Sequence, residues 1–213
     1  MWLRDYLPGN FQSCRVLLYG YDSKVLVSKS NQSVQEIASM CKNVLLGFRK
    51  LTETNINILQ ILSQEREQKS FPRSCNLLSS SIGFLGYGVP MNGLKNESLL
   101  NLVRGQHNFE MIQSICIENN RPTKYLHNLA TRFSLCQDML SVYYFHETNP
   151  SDDRIDSQAS PQRNVDDPGA VGRENNFWVP RNHSELVKFS SRNDEVYTTT
   201  KLALSLILKK LGP

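Results

Sequence analysis

Apolar and polar residues follow two different periods along this chain, and these periods predict strands and helices in turn. Residues 15–19 (RVLLY) form a short apolar run, which predicts a buried strand ending at Gly20. From Ser33 onward, apolar residues recur every three or four positions, which predicts a helix, and Ser33 and Glu36 have the spacing of a capping box. A strand followed by a helix is how a parallel α/β layout begins.

The alternation continues towards the end of the chain. Two more buried strands are predicted over residues 82–87 and 140–145, and the second is closed by His146, Glu147 and Thr148. Further helices are predicted over residues 97–104 and 109–117, from Pro122 as a first helical position, and over 196–211 with Asn193 as its N-cap. The predicted fold class is therefore α/β, with a mostly parallel sheet flanked by helices.

Two segments break this pattern. Residues 52–81 are polar and weakly patterned, which predicts an irregular segment. Residues 149–176 are rich in Asp, Ser, Pro, Arg and Asn, which predicts a mobile surface loop. At this length we expect a single domain over residues 1–213.

Charge and cysteine content exclude several classes of function. The net charge of +4 comes from Lys and Arg scattered in ones and twos, so we expect no nucleic-acid partner. The five cysteines are odd in number and form no C-x-x-C pair, so we expect neither a disulfide framework nor a zinc site, and no cofactor. No signal peptide is recognised, and the longest apolar run, residues 202–208, is too short to span a bilayer. We therefore expect an intracellular protein without a transmembrane segment.

Five blocks of sequence carry a resemblance to a known family. They are residues 2–8 (WLRDYLP) together with 15–23 (RVLLYGYDS), 88–100 (GVPMNGLKNESLL), 144–148 (YFHET), 155–160 (IDSQAS) and 182–194 (NHSELVKFSSRND). In this order they resemble a fungal α/β-hydrolase family related to the serine-active-site-containing lipase-like proteins. Members occur alone or as N-terminal modules of NACHT or NB-ARC proteins with ankyrin or TPR repeats. The resemblance covers most of the chain and implies an α/β-hydrolase fold and a serine esterase or lipase.

The resemblance also implies which residues form the site. His183 lies in a short polar loop before the final helix, where the family places the general base of its catalytic triad. Glu147, at a strand end, matches the acid that orients this base. Asp152, Asp153 and Asp156 remain alternatives for the acid, and a surface or capping histidine remains the alternative for His183.

The nucleophile that these residues would serve is missing from the sequence. No G-x-S-x-G occurs in the 213 residues, and residues 56–64 (INILQILSQ) stand where the family has its G-H-S-L-G-G elbow. The serines near this position, which are Ser63, Ser79, Ser80 and Ser81, lack the glycine context of an elbow. The family's opening strand and its H-G-L-G-G oxyanion loop are also not found. We therefore expect an incomplete α/β-hydrolase fold, either a degenerate and inactive hydrolase or a truncated gene product, and whether it is an enzyme stays open.

A second class of function stays open beside the first. The NACHT-associated members suggest a non-catalytic interaction or effector module with a protein partner, whereas a retained hydrolase pocket implies a lipid or ester ligand. The resemblance adds the mitochondrion and the endoplasmic reticulum to the cytoplasm as compartments. Of the other histidines, we expect His107 and His127 to have ordinary surface or packing roles, and His146 to face the opposite side of its strand from Glu147.

Overall fold

The computed structural model describes residues 1–12, 14, 16–20, 26–52, 81–89, 93–94, 97–119, 121–137, 139–149 and 175–210. The helices are α1 (Trp2–Asp5), α2 (Leu7–Asn10), α3 (Val34–Thr52), α4 (Glu97–Val103), α5 (Phe109–Ile115), α6 (Lys124–Gln137) and α7 (Glu195–Lys209). The strands are β1 (Gly83–Tyr87), β2 (Ile117–Glu118), β3 (Arg121–Pro122), β4 (Ser141–Glu147) and β5 (Asn176–Val179). A 3-10 turn, His183–Glu185, lies between β5 and α7.

The chain divides into two compact units. The first consists of Met1–Tyr19, Leu85–Val89 and Val142–Pro213, and the second of Gly20–Phe84 and Pro90–Ser141. The single domain expected over residues 1–213 stays a prediction.

A three-stranded parallel sheet in the order β1-β4-β5 is the main sheet of the structure. Glu147 at the end of β4 lies opposite Val179 at the end of β5. Beside them, the backbone N–H of Gly88 donates to the carbonyl of Phe145, with a distance of 2.8 Å. The predicted α/β class, with a parallel sheet flanked by helices, is confirmed.

Aromatic side chains fill the core of the first unit. Phe145 in β4 is 1% exposed, and its ring stacks on Tyr87 of β1 at 4.4 Å and on Phe177 of β5 at 5.1 Å. Tyr197 in α7 is fully buried, with its ring centroid 6.0 Å from that of Trp2 in α1. Burial of these large rings removes apolar area from water, which is the main stabilising contribution to such a core.

The second unit has an aliphatic core between two short helices. It consists of Leu99 and Val103 from α4 and Ile112 and Cys116 at α5. Gly93 precedes it with φ +90°, and a Cβ at this position would lie 2.6 Å from the Leu126 side chain. A glycine is therefore required where the chain passes close to α6.

The long helix predicted from Ser33 is confirmed together with its capping box. The Ser33 N–H donates to Glu36 Oε2 at 2.7 Å, and the Glu36 N–H donates to Ser33 Oγ at 3.2 Å. The apolar residues that recur along this helix, which predict a face turned to the core, are not buried where described: Val44 is 59% exposed, and Ile37 and Cys41 are only half-buried. Helical periodicity indicates which face is apolar, but it does not supply an element to cover that face.

The strand predicted over residues 15–19 is wrong for its described part. Residues 16–20 are in no strand, and Leu18 is 68% exposed. An apolar run becomes a buried strand only where a neighbouring strand offers backbone partners, and the β1-β4-β5 sheet does not include this segment.

Several boundaries differ from the prediction, and the helix predicted over residues 109–117 ends at Ile115 because Ile117 begins β2. Pro122 lies in β3, which pairs with β2, and the helix begins at Lys124. Asp194, and not Asn193, caps α7, because its Oδ1 accepts the N–H groups of Val196 and Tyr197 at 3.0 and 3.3 Å. The predicted loop over residues 149–176 ends early, since Asn176 begins β5. Most of that loop, residues 151–174, and residues 53–80 of the predicted irregular segment lie outside the described residues.

Candidate functional site formed by His183 and Glu147

Glu147 is the last residue of β4. The first five residues of this strand are buried, and the carboxylate at its end is 14% exposed. In a parallel sheet the carboxyl ends of neighbouring strands meet at one edge, and that edge is where open α/β sheets place their ligand sites. The acidic side chain of Glu147 therefore lies at the carboxyl end of the sheet, where α/β proteins have their ligand sites.

His183 reaches the same edge from the neighbouring strand. It begins the 3-10 turn that follows β5, and Asn182 caps this turn, since its Oδ1 accepts the Glu185 N–H at 3.1 Å. Leu186, 1% exposed, fixes the far side of the turn in the core. The imidazole itself is 51% exposed. The Asn182 cap and the buried Leu186 side chain thus fix the turn, while the His183 ring stays accessible to solvent.

The structure brings the two predicted site residues together. His183 Nδ1 lies 3.3 Å from Glu147 Oε1. Burial acts to raise the pKa of Glu147, but the hydrogen bond from His183, a backbone hydrogen bond and the nearby charges of His183 and His146 outweigh it and lower the pKa. The carboxylate is then ionised at neutral pH and can only accept, so Nδ1 carries the proton and donates it. A carboxylate that fixes the imidazole in this tautomer is the arrangement of acid and base in a catalytic triad.

Gly88 completes this arrangement, although the sequence alone does not single it out. It follows β1, has φ +59°, and a Cβ at its position would lie 2.5 Å from His183 Nδ1 and 3.0 Å from Glu147 Oε2. The sequence offers two general signals for it: a glycine directly after an apolar strand, which many turns share, and its place as the first residue of the 88–100 block.

Of the remaining candidate histidines, all three lie in the part of the chain that the structure describes, and none of them contacts Glu147 in place of His183. His146 is on the other side of β4 as predicted, where its Nε2 lies 2.9 Å from Asn176 Oδ1 and its ring stacks on Trp178 at 4.7 Å. His107 and His127 are exposed. Asp152, Asp153, Asp156, Ser63, Ser79 and Ser80 lie outside the described residues. Within the described ranges, no group of three or more His, Cys, Asp or Glu residues has the geometry to hold a metal ion.

Comparison with known proteins identified no relative of this chain. Neither family models, nor curated proteins, nor solved structures gave a match to the chain. Among the helices that the structure describes, none combines the length and the apolar character needed to cross a membrane. The chemistry of the site is defined by its own residues, His183 and Glu147.

Proposed function

We propose that this chain is an α/β-hydrolase-like module of the serine esterase or lipase-like type that keeps the base and the acid of the site, His183 and Glu147, but has no working nucleophile. The observation that supports the proposal is the 3.3 Å contact between these side chains, one at the end of β4 and the other in the turn that follows the adjacent parallel strand β5. They are 36 residues apart in the sequence. A surface histidine with no such role would need no largely covered carboxylate beside Nδ1.

In an intact site of this type the imidazole takes the proton of a serine through Nε2 while Nδ1–H donates to the acid. The sequence has no G-x-S-x-G to present that serine. Loss of the serine in a well-studied triad lowers kcat by about 10⁶-fold. We therefore propose that the site binds an acyl ester or lipid without turning it over at an appreciable rate. The proposed compartment is the cytoplasm, or by resemblance the mitochondrion or endoplasmic reticulum.

The alternative is a non-catalytic interaction or effector module of the NACHT-associated type, with a protein partner. The observation that favours it is apolar exposure in the first unit. Trp178 in β5 is 44% exposed, and Val187, four residues after His183, is 42% exposed. Apolar side chains at a surface contribute to association when a partner covers them.

The test is covalent labelling and ester turnover with the full chain. A fluorophosphonate probe and short-chain p-nitrophenyl esters are applied to the wild type, His183→Ala and Glu147→Gln. We expect no labelled serine and no turnover that depends on His183. Labelling of a serine that is lost in His183→Ala would identify an active hydrolase and contradict the missing nucleophile.

Ligand binding separates the proposal from the alternative. A non-hydrolysable alkyl phosphonate is titrated into the protein, and the ring signals of His183 are followed by NMR. We expect shifts at His183 in the wild type, and weaker binding by Glu147→Gln because the ring loses its orienting partner. If the phosphonate leaves His183 unchanged at millimolar concentration, the ligand-binding proposal fails and the interaction module is favoured.

A further inference from the structure

Gly88 lies against both members of the His183–Glu147 pair. We propose that Gly88 is the positioning residue of this pair: the imidazole can lie beside Glu147 because this position has no side chain. The inference rests on the proposed function for the role of the pair, and on the geometry alone for the role of the glycine. It identifies a third position, 59 residues before Glu147, on which the site depends.

Backbone conformation and space both exclude a side chain here. A φ of +59° lies in the left-handed region, which β-carbon-bearing residues other than Asn and Asp rarely adopt. A Cβ built on this backbone would be 2.5 Å from His183 Nδ1 and 2.6 Å from His183 Cε1. Both distances are far inside van der Waals contact. Either the glycine or the ring would have to move.

The backbone of Gly88 is the less mobile of the two. Its N–H donates to the carbonyl of Phe145 at 2.8 Å, directly after β1 in the sheet, and Phe145 is 1% exposed. The His183 ring, by contrast, is half exposed and lies at the end of a side chain with two rotatable bonds. A methyl group at position 88 therefore displaces the ring towards solvent and leaves the strands in place.

Displacement of the ring has a measurable consequence for Glu147. Burial acts to raise the pKa of this carboxyl, and the hydrogen bond and charge of His183 act to lower it. Once the ring has left, the lowering contributions of His183 are lost, so the pKa of Glu147 rises. A purely structural role of Gly88 in the turn after β1 would leave this pKa where it is.

The experiment is a carboxyl ¹³C NMR titration of the full chain, with the Glu147 signal assigned from Glu147→Gln. The variants are Gly88→Ala, His183→Ala, the double variant and Gly105→Ala. Gly105 is the matched control, since it has φ +79° with nothing within 4 Å of a built Cβ. We expect Gly88→Ala and the double variant each to raise the pKa of Glu147 at least to its value in His183→Ala, because the new methyl also lies 3.0 Å from Glu147 Oε2, and Gly105→Ala to leave the pKa unchanged.

Each outcome decides a different point. If His183→Ala raises the pKa of Glu147 and Gly88→Ala does not, the inference about Gly88 is wrong while the pair stands. If His183→Ala itself has no effect, the pair does not form, and both the inference and the proposed function fall.

A loss of folding is also informative. The melting temperature of Gly88→Ala is then compared with that of the double variant, in which the ring no longer occupies the space. Recovery in the double variant, to the level of Gly105→Ala, supports a collision with His183. Equal unfolding in both backgrounds would assign Gly88 to the backbone alone and overturn the inference.

Discussion

Asp194 connects the two ends of the segment that carries His183. The variant Asp194→Asn tests how much the charge of this side chain stabilises the first unit. Its Oδ2 accepts from Arg181 Nη2 at 2.7 Å and from the Ser190 N–H at 3.0 Å, so it joins the two ends of the 181–190 segment. Its Oδ1 caps α7, and the side chain is 1% exposed. Asp194→Asn keeps the shape and the ability to cap but removes the charge.

The expected loss follows from the pKa of this group. Burial acts to raise the pKa of Asp194, but the hydrogen bonds from Arg181, Ser190 and Tyr197 outweigh it and bring the pKa from 3.8 to about 2. That difference corresponds to about 2 kcal/mol in favour of the ionised form in the folded state. At pH 7 we therefore expect Asp194→Asn to lower the free energy of unfolding by about 2 kcal/mol, and Asp194→Ala by roughly 1 kcal/mol more because the cap is also lost.

The pH dependence gives an independent check of the sign. A lowered pKa means that the folded state binds fewer protons than the unfolded state, so the stabilisation is complete above pH 5 and is lost as the pH falls towards 2. Between pH 5 and pH 3 the wild type should lose about 1 kcal/mol that Asp194→Asn does not lose.

Urea denaturation followed by tryptophan fluorescence measures the free energy of unfolding at each pH. Both tryptophans, Trp2 and Trp178, lie in the first unit, so the signal reports that unit. The midpoint and the m-value are compared at pH 7, 5 and 3 for the wild type and both variants. A loss of free energy of unfolding below about 0.5 kcal/mol in Asp194→Asn at pH 7 would refute a stabilising role of the Asp194 charge, because an ordinary surface substitution has an effect of about this size. Parallel pH profiles of the wild type and the variant would refute it as well.

Three further predictions concern the same unit and use the same denaturation assay. Tyr87→Phe should lower the free energy of unfolding by about 1 kcal/mol, because Thr200 Oγ1 donates its one proton to the Val196 carbonyl at 2.7 Å and therefore accepts from the Tyr87 hydroxyl at 2.7 Å; an unchanged midpoint would contradict a stabilising contribution of this hydrogen bond. Ile207→Ala, at a fully buried position of α7, should cost about 2–5 kcal/mol, and a smaller loss would mean that the site collapses around the cavity. Glu147→Gln should flatten the loss of stability on acidification through the pKa of this carboxyl, which lies below 4.5; equal acid sensitivity in both proteins would argue against a lowered pKa.

The elements that the sequence predicts well are those with a complete local signal. The helix after Ser33 has both its period and its capping box, and the strands around residues 83–87 and 141–147 are apolar runs between glycine or polar boundaries. The cap of α7 is off by one position because Asn193 and Asp194 are both good N-cap residues, and only tertiary contacts with Arg181 and Ser190 select the second.

Other features depend on partners that local patterning does not contain. β5 is four residues long and follows a polar segment; its Phe, Trp and Val are typical of strands, but so short a run does not by itself predict one. Residues 16–20 have the composition of a strand without a place in the described sheet. Both outcomes are decided by pairing between distant segments, which outweighs intrinsic strand preference.

The candidate site arises from strand order, and this explains what sequence reasoning finds and what it misses. Gly88, Glu147 and His183 are separated by 59 and 36 residues, yet each follows or ends one of three adjacent parallel strands. The resemblance to a family predicts His183 as the base and Glu147 as the acid, and the structure places these two side chains 3.3 Å apart. The glycine has no chemistry of its own, and its role exists only where β1 runs beside β4. A nucleophile that used His183 would have to reach the same edge of the sheet, so labelling at this edge tests the proposed function more directly than a search for another serine motif.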